Sequence, residues 1–198
     1  ANALGVDMSA GLLEGLDRAE REAKVVVITG RPGVFCGGFD LKVIRGDSED
    51  ARAAMREAGY KLLRRLYLYP LPTVIACPGH AVAAGGLLLL AADVRIGVTG
   101  DFKVGLNEVA IGLPLPVLGL ELARDRLSPR FLTAATMEAR LFDPEEACDV
   151  GYLDEAVPVK SFGDTVHERA RALMDLDGAA FAETKRRVRQ STLDRVPG

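Results

Sequence analysis

Tryptophan is absent from this chain of 198 residues, histidine occurs twice and cysteine three times. Two histidines are too few for a His-rich metal site, and Cys36, Cys77 and Cys148 stand too far apart for C-x-x-C spacing. Such sparse, scattered thiols suit a reducing, cytoplasmic setting. A surplus of charge is missing as well: 25 Lys and Arg against 28 Asp and Glu leave a formal net charge of −3. No chain-wide field therefore gathers phosphate backbones or acidic lipid, and neither nucleic acid nor membrane is expected as a partner. The longest apolar run, AVAAGGLLLLAA at 81–92, falls short of the roughly 20 residues of a membrane-spanning helix and reads as a buried core segment. No G-x-G-x-x-G string with a downstream acid marks a dinucleotide site, and no G-x-S-x-G marks a serine hydrolase. The first residues, ANALGVDMSAG, show neither an initiator methionine nor a charged-then-apolar leader, so no secretory signal is visible and residues are expected to precede Ala1.

What is present suits one α/β domain spanning 1–198. Hydrophobic residues make up 48% of the chain, enough for one sizeable core, and no repeat or low-complexity linker divides it. Leu12, Leu16, Ala19 and Ala23 recur at helical spacing after Ser9, the expected N-cap, and VVVITG at 25–30 follows as a buried strand. The acids of GDSED suit a helix start, and Ala51, Met55, Ala58, Leu62 and Leu66 then form one apolar stripe. TVIAC at 73–77 and DVRIGV at 93–98 read as strands; between them GHAVAAGG reads as a turn into a helix from Leu87 to Ala92. DPEEACDVG places Asp143 as N-cap, Pro144 at the first helical position and Gly151 as the stop. YLDEAV reads as a short strand, and 160–195 as two charged amphipathic helices whose basic run, KRRVRQ, is expected to face solvent.

Two segments share a pattern that bears on chemistry. After VVVITG, the pair Gly37 and Gly38 permits backbone conformations and close approaches that a side chain would obstruct. In CPGHAVAAGG a second small-residue turn again follows a strand and opens a helix, whose first N–H groups lack intrahelical partners and carry positive potential. If the turns converge, the N–H groups of Gly37 and Ala84 form an oxyanion hole. Glu108, in GLNEVAIG, would then be the base; the alternative is a helix cap or an arginine partner. Its apolar neighbours Val109, Ile111 and Leu87 would raise its proton affinity by desolvation. Asp40 and Asp93 read as loop anchors bonded to nearby N–H groups, His80 as packed or exposed, and Cys36, without an activating neighbour, as packing.

Three ordered stretches, FCGGFDL, GHAVAAGGLLLLAADVRI and DPEEACDVGYLDEAVP, together with GLNE, resemble the crotonase, or enoyl-CoA hydratase/isomerase, superfamily across nearly the whole chain. The resemblance implies a spiral of ββα units with C-terminal helices from about 160 to 198, a missing N-terminal hairpin, and assembly as a homotrimer or dimer of trimers. It implies an acyl-CoA thioester as partner, its carbonyl between the N–H groups at Gly37 and Ala84, with Cys36, Gly38, Phe39, Leu41 and Leu87 around the substrate. No cofactor is implied, CoA being part of the substrate; Lys42, Lys61, Arg64 and Arg65 are candidates to meet its phosphates. The chain departs from the pattern at two places. Leu87 stands where the family's hydratases carry a second glutamate, and Pro116 stands where the dienoyl-CoA isomerases place an aspartate. What remains is similar to the 3,2-enoyl-CoA isomerases, which need one glutamate. Weak enoyl-CoA hydration and non-catalytic CoA binding are the alternatives.

Overall fold

The computed structural model describes residues 2–197. Among the described residues, seven strands form two parallel sheets. One has the order β1-β3-β5-β7, built from Val26–Thr29 (β1), Thr73–Cys77 (β3), Val94–Val98 (β5) and Glu155–Val157 (β7). The other has the order β2-β4-β6, from Gly33–Cys36 (β2), Gly79–Val82 (β4) and Val104–Gly105 (β6). Odd strands belong to one sheet and even strands to the other, so each pass of the chain lays one strand in each sheet before a helical segment carries it on. The helices are Val6–Glu22 (α1), Leu41–Ile44 (α2), Glu49–Tyr67 (α3), Ala84–Ala91 (α4), Val117–Arg126 (α5), Leu132–Thr136 (α6), Pro144–Val150 (α7), Val159–Met174 (α8) and Gly178–Leu193 (α9). This is the mixed α/β spiral that the motifs imply.

The apolar run TVIAC is buried at every position because β3 is covered on both faces. Ile75 and Cys77 join the main core with Leu87 to Leu90 of α4, whereas Val74 and Ala76 pack on the opposite face with Val166 of α8. Helix α4 itself is buried around its whole circumference, which accounts for a sequence without a polar face. The boundary at α7 follows its signals: Asp143 Oδ1 accepts from the Glu146 N–H at 2.7 Å, and Gly151 ends the helix at φ 103°. In α3, Ser48 caps Ala51, and Met55, Leu62 and Leu66 are buried as expected.

Five sequence expectations are corrected. VVVITG, expected as a buried strand, forms β1 with alternating exposed positions, Val27 being 43% exposed. Ser9 is not a cap but a buried residue inside α1, which starts at Val6 after Gly5. GHAV is not a turn but β4, and the following helix begins at Ala84 rather than Leu87. In the α3 stripe, Ala51 is exposed, while Gly59 and Leu63 are buried. The basic run of α9 does not simply face solvent: Lys185 and Arg189 are buried, and both reach Asp93, at 2.7 Å and 3.0 Å. The periodicity places them inward, and a carboxylate beneath the helix makes that tolerable.

Candidate active site

The two small-residue turns meet. β2 ends at Cys36, and the chain passes through exposed Gly37 to Gly38 at φ 99°, a left-handed conformation that favours glycine. A Cβ at Gly38 would stand 3.0 Å from the Ala83 methyl and 3.8 Å from the Ala84 nitrogen. Ala83 turns the end of β4 sharply into α4 with φ 53° and ψ −120°, a strained conformation for a residue with a side chain. The helix start presses against the first turn: a Cβ at Gly85 would lie 2.3 Å from the carbonyl oxygen of Cys36. Gly85→Ala should therefore push α4 from β2 and cost about 1–3 kcal/mol or more, read as a lowered midpoint in a urea melt; an unchanged midpoint would contradict this packing. Among the described residues, neither the Gly37 nor the Ala84 N–H donates to a main-chain carbonyl.

Glu108 closes this region from the other side. Its carbonyl starts a single 3-10 turn, Val109–Ile111, by accepting from the N–H groups of Ile111 and Leu113, both at 3.0 Å. Its side chain caps nothing, is 9% exposed, and leaves Oε2 buried without a hydrogen-bond partner among the described residues. Both structural alternatives for this glutamate, cap and arginine partner, therefore fail. Burial pushes its carboxyl above the usual carboxylate range, against a weaker downward pull from the N–H groups of Glu108 and Asn107. The desolvation is real, but Val109 and Ile111, expected to supply it, are 45% and 48% exposed. Leu87 is the expected neighbour that does line the same cavity.

That cavity, of about 590 Å³, runs past Glu108 between Leu87, Phe39, Met55 and Tyr60 to a rim at Pro114 and Pro116. A narrower one of about 220 Å³ lies over Gly37, Gly38, Leu41 and Ala83. They share Phe39, Ile44 and Leu113 as walls, so the smaller channel over the glycine turn adjoins a larger, mostly apolar chamber at the carboxyl. An extended ligand with an apolar tail fits that shape.

The sequence profile of the family described as Enoyl-CoA hydratase/isomerase matches residues 1–197. The chain belongs to the enoyl-CoA hydratase/isomerase family. Mitochondrial enoyl-CoA delta isomerase 1 of Rattus norvegicus is 30% identical, over 98% of this chain and 69% of its own length. A probable enoyl-CoA hydratase of Rhodobacter capsulatus is 33% identical, over 93% of this chain and 72% of its own. The solved structure of an enoyl-CoA hydratase/isomerase family protein from Pseudomonas syringae superimposes with a TM-score of 0.94 at 41% identity, covering 98% of this chain and 84% of that one. The chain spans about two thirds of the length of the curated relatives named isomerase.

Within this enoyl-CoA hydratase/isomerase chain, Gly37, Gly38, Phe39, Leu41, Leu87 and Glu108 all line the two adjoining cavities. Ala84 is buried at the head of α4 beside Ala83, which does line the channel. Cys36 lies behind the turn, facing a separate cavity under α1, with its thiol pushed up by burial as a packing residue's would be. Asp40 caps α2 by accepting from the Lys42 N–H at 2.9 Å, and His80 Nδ1 accepts from the Lys103 N–H at 3.0 Å. None of the four cations proposed for phosphates lines either cavity. Arg65 pairs with Asp17 and Glu20, and Arg64 donates to the Pro197 carbonyl. Arg45 lines the channel instead, and Arg52 and Arg56, bound to Glu49, line the chamber. Sequence reasoning missed these arginines and Tyr60, because the order of residues along α2 and α3 does not say which face turns to the site; it also passed over Asn107, which lines the channel beside Glu108 in sequence.

Proposed function

We propose that the chain is a 3,2-enoyl-CoA isomerase in which one carboxyl moves one proton. A single observation carries this: Glu108 is buried with Oε2 unpartnered among the described residues, and it lines a mostly apolar chamber whose wall includes Leu87 where the family's hydratases hold their second acid. The thioester oxygen lies against the N–H groups of Gly37 and Ala84, and the acyl chain runs into the chamber. Glu108 removes the proton from the α-carbon; the C–H electron pair enters the conjugated system, and charge collects on the thioester oxygen as a dienolate. Two preorganised N–H donors stabilise that charge, a contribution worth several kcal/mol in a dry site. The protonated Glu108 then returns its proton to the γ-carbon, and the double bond settles between the α- and β-carbons. No net proton leaves, so no second acid and no cofactor are required. Hydration would need a water held and deprotonated beside the β-carbon, and leucine can do neither. The same reading carries the acyl-CoA thioester as partner, and a homotrimer or dimer of trimers as the assembled form.

Purified protein incubated separately with 3-enoyl-CoA and 2-enoyl-CoA tests this. The expected result is conversion of 3-enoyl- to 2-enoyl-CoA faster than formation of 3-hydroxyacyl-CoA. Leu87→Glu should narrow the gap by restoring the second carboxyl, although a buried unpaired acid stays largely protonated. Faster hydration by the wild type would favour the hydratase alternative, and no turnover of either would favour a CoA-binding protein.

A further inference from the structure

The wall that α3 contributes to the chamber is not apolar throughout. Arg52, Met55, Arg56 and Tyr60 recur along that helix at intervals of three and four, so they share one face, and all of them line the cavity that holds Glu108. A helix face turned to an apolar space normally carries apolar residues, so two arginines on it ask for a reason. Burial along the cavity is graded. Leu87, Met55 and Glu108 are buried, whereas the side chains of Arg52 and Arg56 are 26% and 44% exposed. The reactive carboxyl therefore sits at the deep end and the guanidiniums at the mouth. By the rise of a helix, Arg56 stands about 6 Å from Tyr60 along α3, and Arg52 about 12 Å.

The two guanidiniums are not equally occupied. Glu49 Oε2 accepts from Arg52 Nε at 2.9 Å and meets its Nη2 at 2.8 Å, and Arg52 Nη1 donates to the Gly46 carbonyl, so every nitrogen of that fork has a partner. Arg56 commits only Nη2, to Glu49 Oε1 at 2.7 Å. Its Nε and Nη1 have no protein acceptor among the described residues. Glu49 is one carboxylate shared by two cations, so the mouth keeps a positive charge in excess. Asp50 and Glu57, on the same helix, line no part of the cavity and form no ion pair with Arg56 among the described residues.

An apolar passage that ends at an arginine with open donors is matched by an apolar chain that ends in an acceptor. The planar fork suits a carboxylate, which it can bind through two parallel hydrogen bonds. We infer that the acyl tail is read at its far end: Arg56 selects 3-enoyl-CoA thioesters whose chain ends in a carboxylate over those that end in a methyl group. This rests on the reading that the acyl chain occupies the chamber while the thioester lies over the glycine turn. The depth of Glu108 keeps the two negative groups apart, since the tail charge stops at the mouth. A carboxylate brought into the same chamber without a cation would lose its hydration for nothing in return.

Paired 3-enoyl-CoA substrates of increasing length, one of each pair ending in methyl and the other in carboxylate, test this. In the wild type the carboxylate-to-methyl ratio of kcat/KM should pass through a maximum at the length that reaches the guanidinium, and should stand at about tenfold there. Arg56→Gln should lower that ratio about tenfold. Glu49→Gln, which frees the guanidinium from its competitor, should raise it, and provides the second reading if Arg56→Gln does not fold. A wild type that favours the carboxylate at no length, or a ratio that Arg56→Gln leaves unmoved, would overturn the proposal. So would an equal loss of affinity for free CoA in Arg56→Gln, which would put the guanidinium on a CoA phosphate instead. Calorimetry with the saturated acyl-CoA pairs reads the same preference without turnover. A carboxylate preference in binding with no isomerisation would fault the isomerase reading alone. Isomerisation that is blind to the chain end would fault the role of Arg56 alone.

Discussion

Glu108→Gln should lower isomerisation of 3-enoyl-CoA by about 10²–10⁴-fold while leaving thioester affinity nearly unchanged. The amide keeps the shape of the carboxyl but cannot take the α-proton at neutral pH. Calorimetric titration with acetoacetyl-CoA and single-turnover kinetics separate the two effects. Stability should move in the opposite direction from activity. The folded-state proton affinity of Glu108 is raised by burial, so its contribution to stability is favourable below the unfolded carboxyl range and is lost as pH rises through the folded value. At neutral pH the unfolded chain ionises this glutamate freely while the fold resists it, a cost the amide does not carry, so Glu108→Gln should melt at a higher temperature. That advantage should shrink as pH falls toward the ordinary glutamate range. A glutamate kept as a cap or ion-pair partner would do the reverse, losing stability on substitution and sparing turnover. Thermal melts at neutral and acidic pH decide between them.

The second large effect lies away from the site, at Asp93. Its Oδ2 accepts from the N–H and hydroxyl of Thr73, at 2.8 Å and 2.9 Å, and from Lys185 at 2.7 Å, while Oδ1 meets Arg189 at 3.0 Å. One carboxylate thus ties the start of β3 to two inward cations of α9. Asp93→Ala should cost about 3–5 kcal/mol, because removing one partner of a buried pair leaves uncompensated charge. The loss falls unevenly. Burial already holds Lys185 down at about 8 against the pull of Asp93, so without the acid it sheds its proton. Arg189 cannot, and is left with the carbonyls of Tyr67, Ala91 and Ala92 and the Tyr67 ring at 4.7 Å. The last helix should therefore open first, seen as early amide exchange along α9 and a lowered urea midpoint. A loss under about 1 kcal/mol would show the cluster to be as weak as an exposed pair.

These two carboxylates mark how far the sequence alone could be followed. Asp93 was expected to anchor a loop through nearby N–H groups, and it does bond Thr73; its partnership with residues 92 and 96 positions downstream was not legible. Nothing in KRRVRQ states what lies under the helix, so the bland expectation of a solvated face was natural and wrong for Lys185 and Arg189. Glu108 was singled out by its place in an ordered set of motifs, although a glutamate among small apolar residues is equally suited to capping. The structure removed that alternative by leaving its side chain without cap or cation.

Local physics sufficed where a segment's own residues meet all its demands. VVVITG, TVIAC, DVRIGV and YLDEAV hold the whole β1-β3-β5-β7 sheet; only β3 is buried at every position and advertises it by a continuous apolar run, while β1 and β7 are partly exposed. DPEEACDVG likewise carries its cap, its first-turn proline and its terminating glycine within one helix. The β2-β4-β6 sheet was invisible by the same logic: its strands are four, four and two residues long, and lie within stretches that resemble turns. They become strands because parallel ladders with partners far along the chain satisfy their N–H and C=O groups, an arrangement no local window contains. That second sheet brings the Gly37–Gly38 turn against the head of α4 and sets both beside Glu108. The sequence by itself determined the class of fold, the order of the motifs and the single acid. Only the tertiary structure decided which N–H groups, oxygens and cations share a space, because burial and electrostatics depend on distance through the fold and not on separation along the chain.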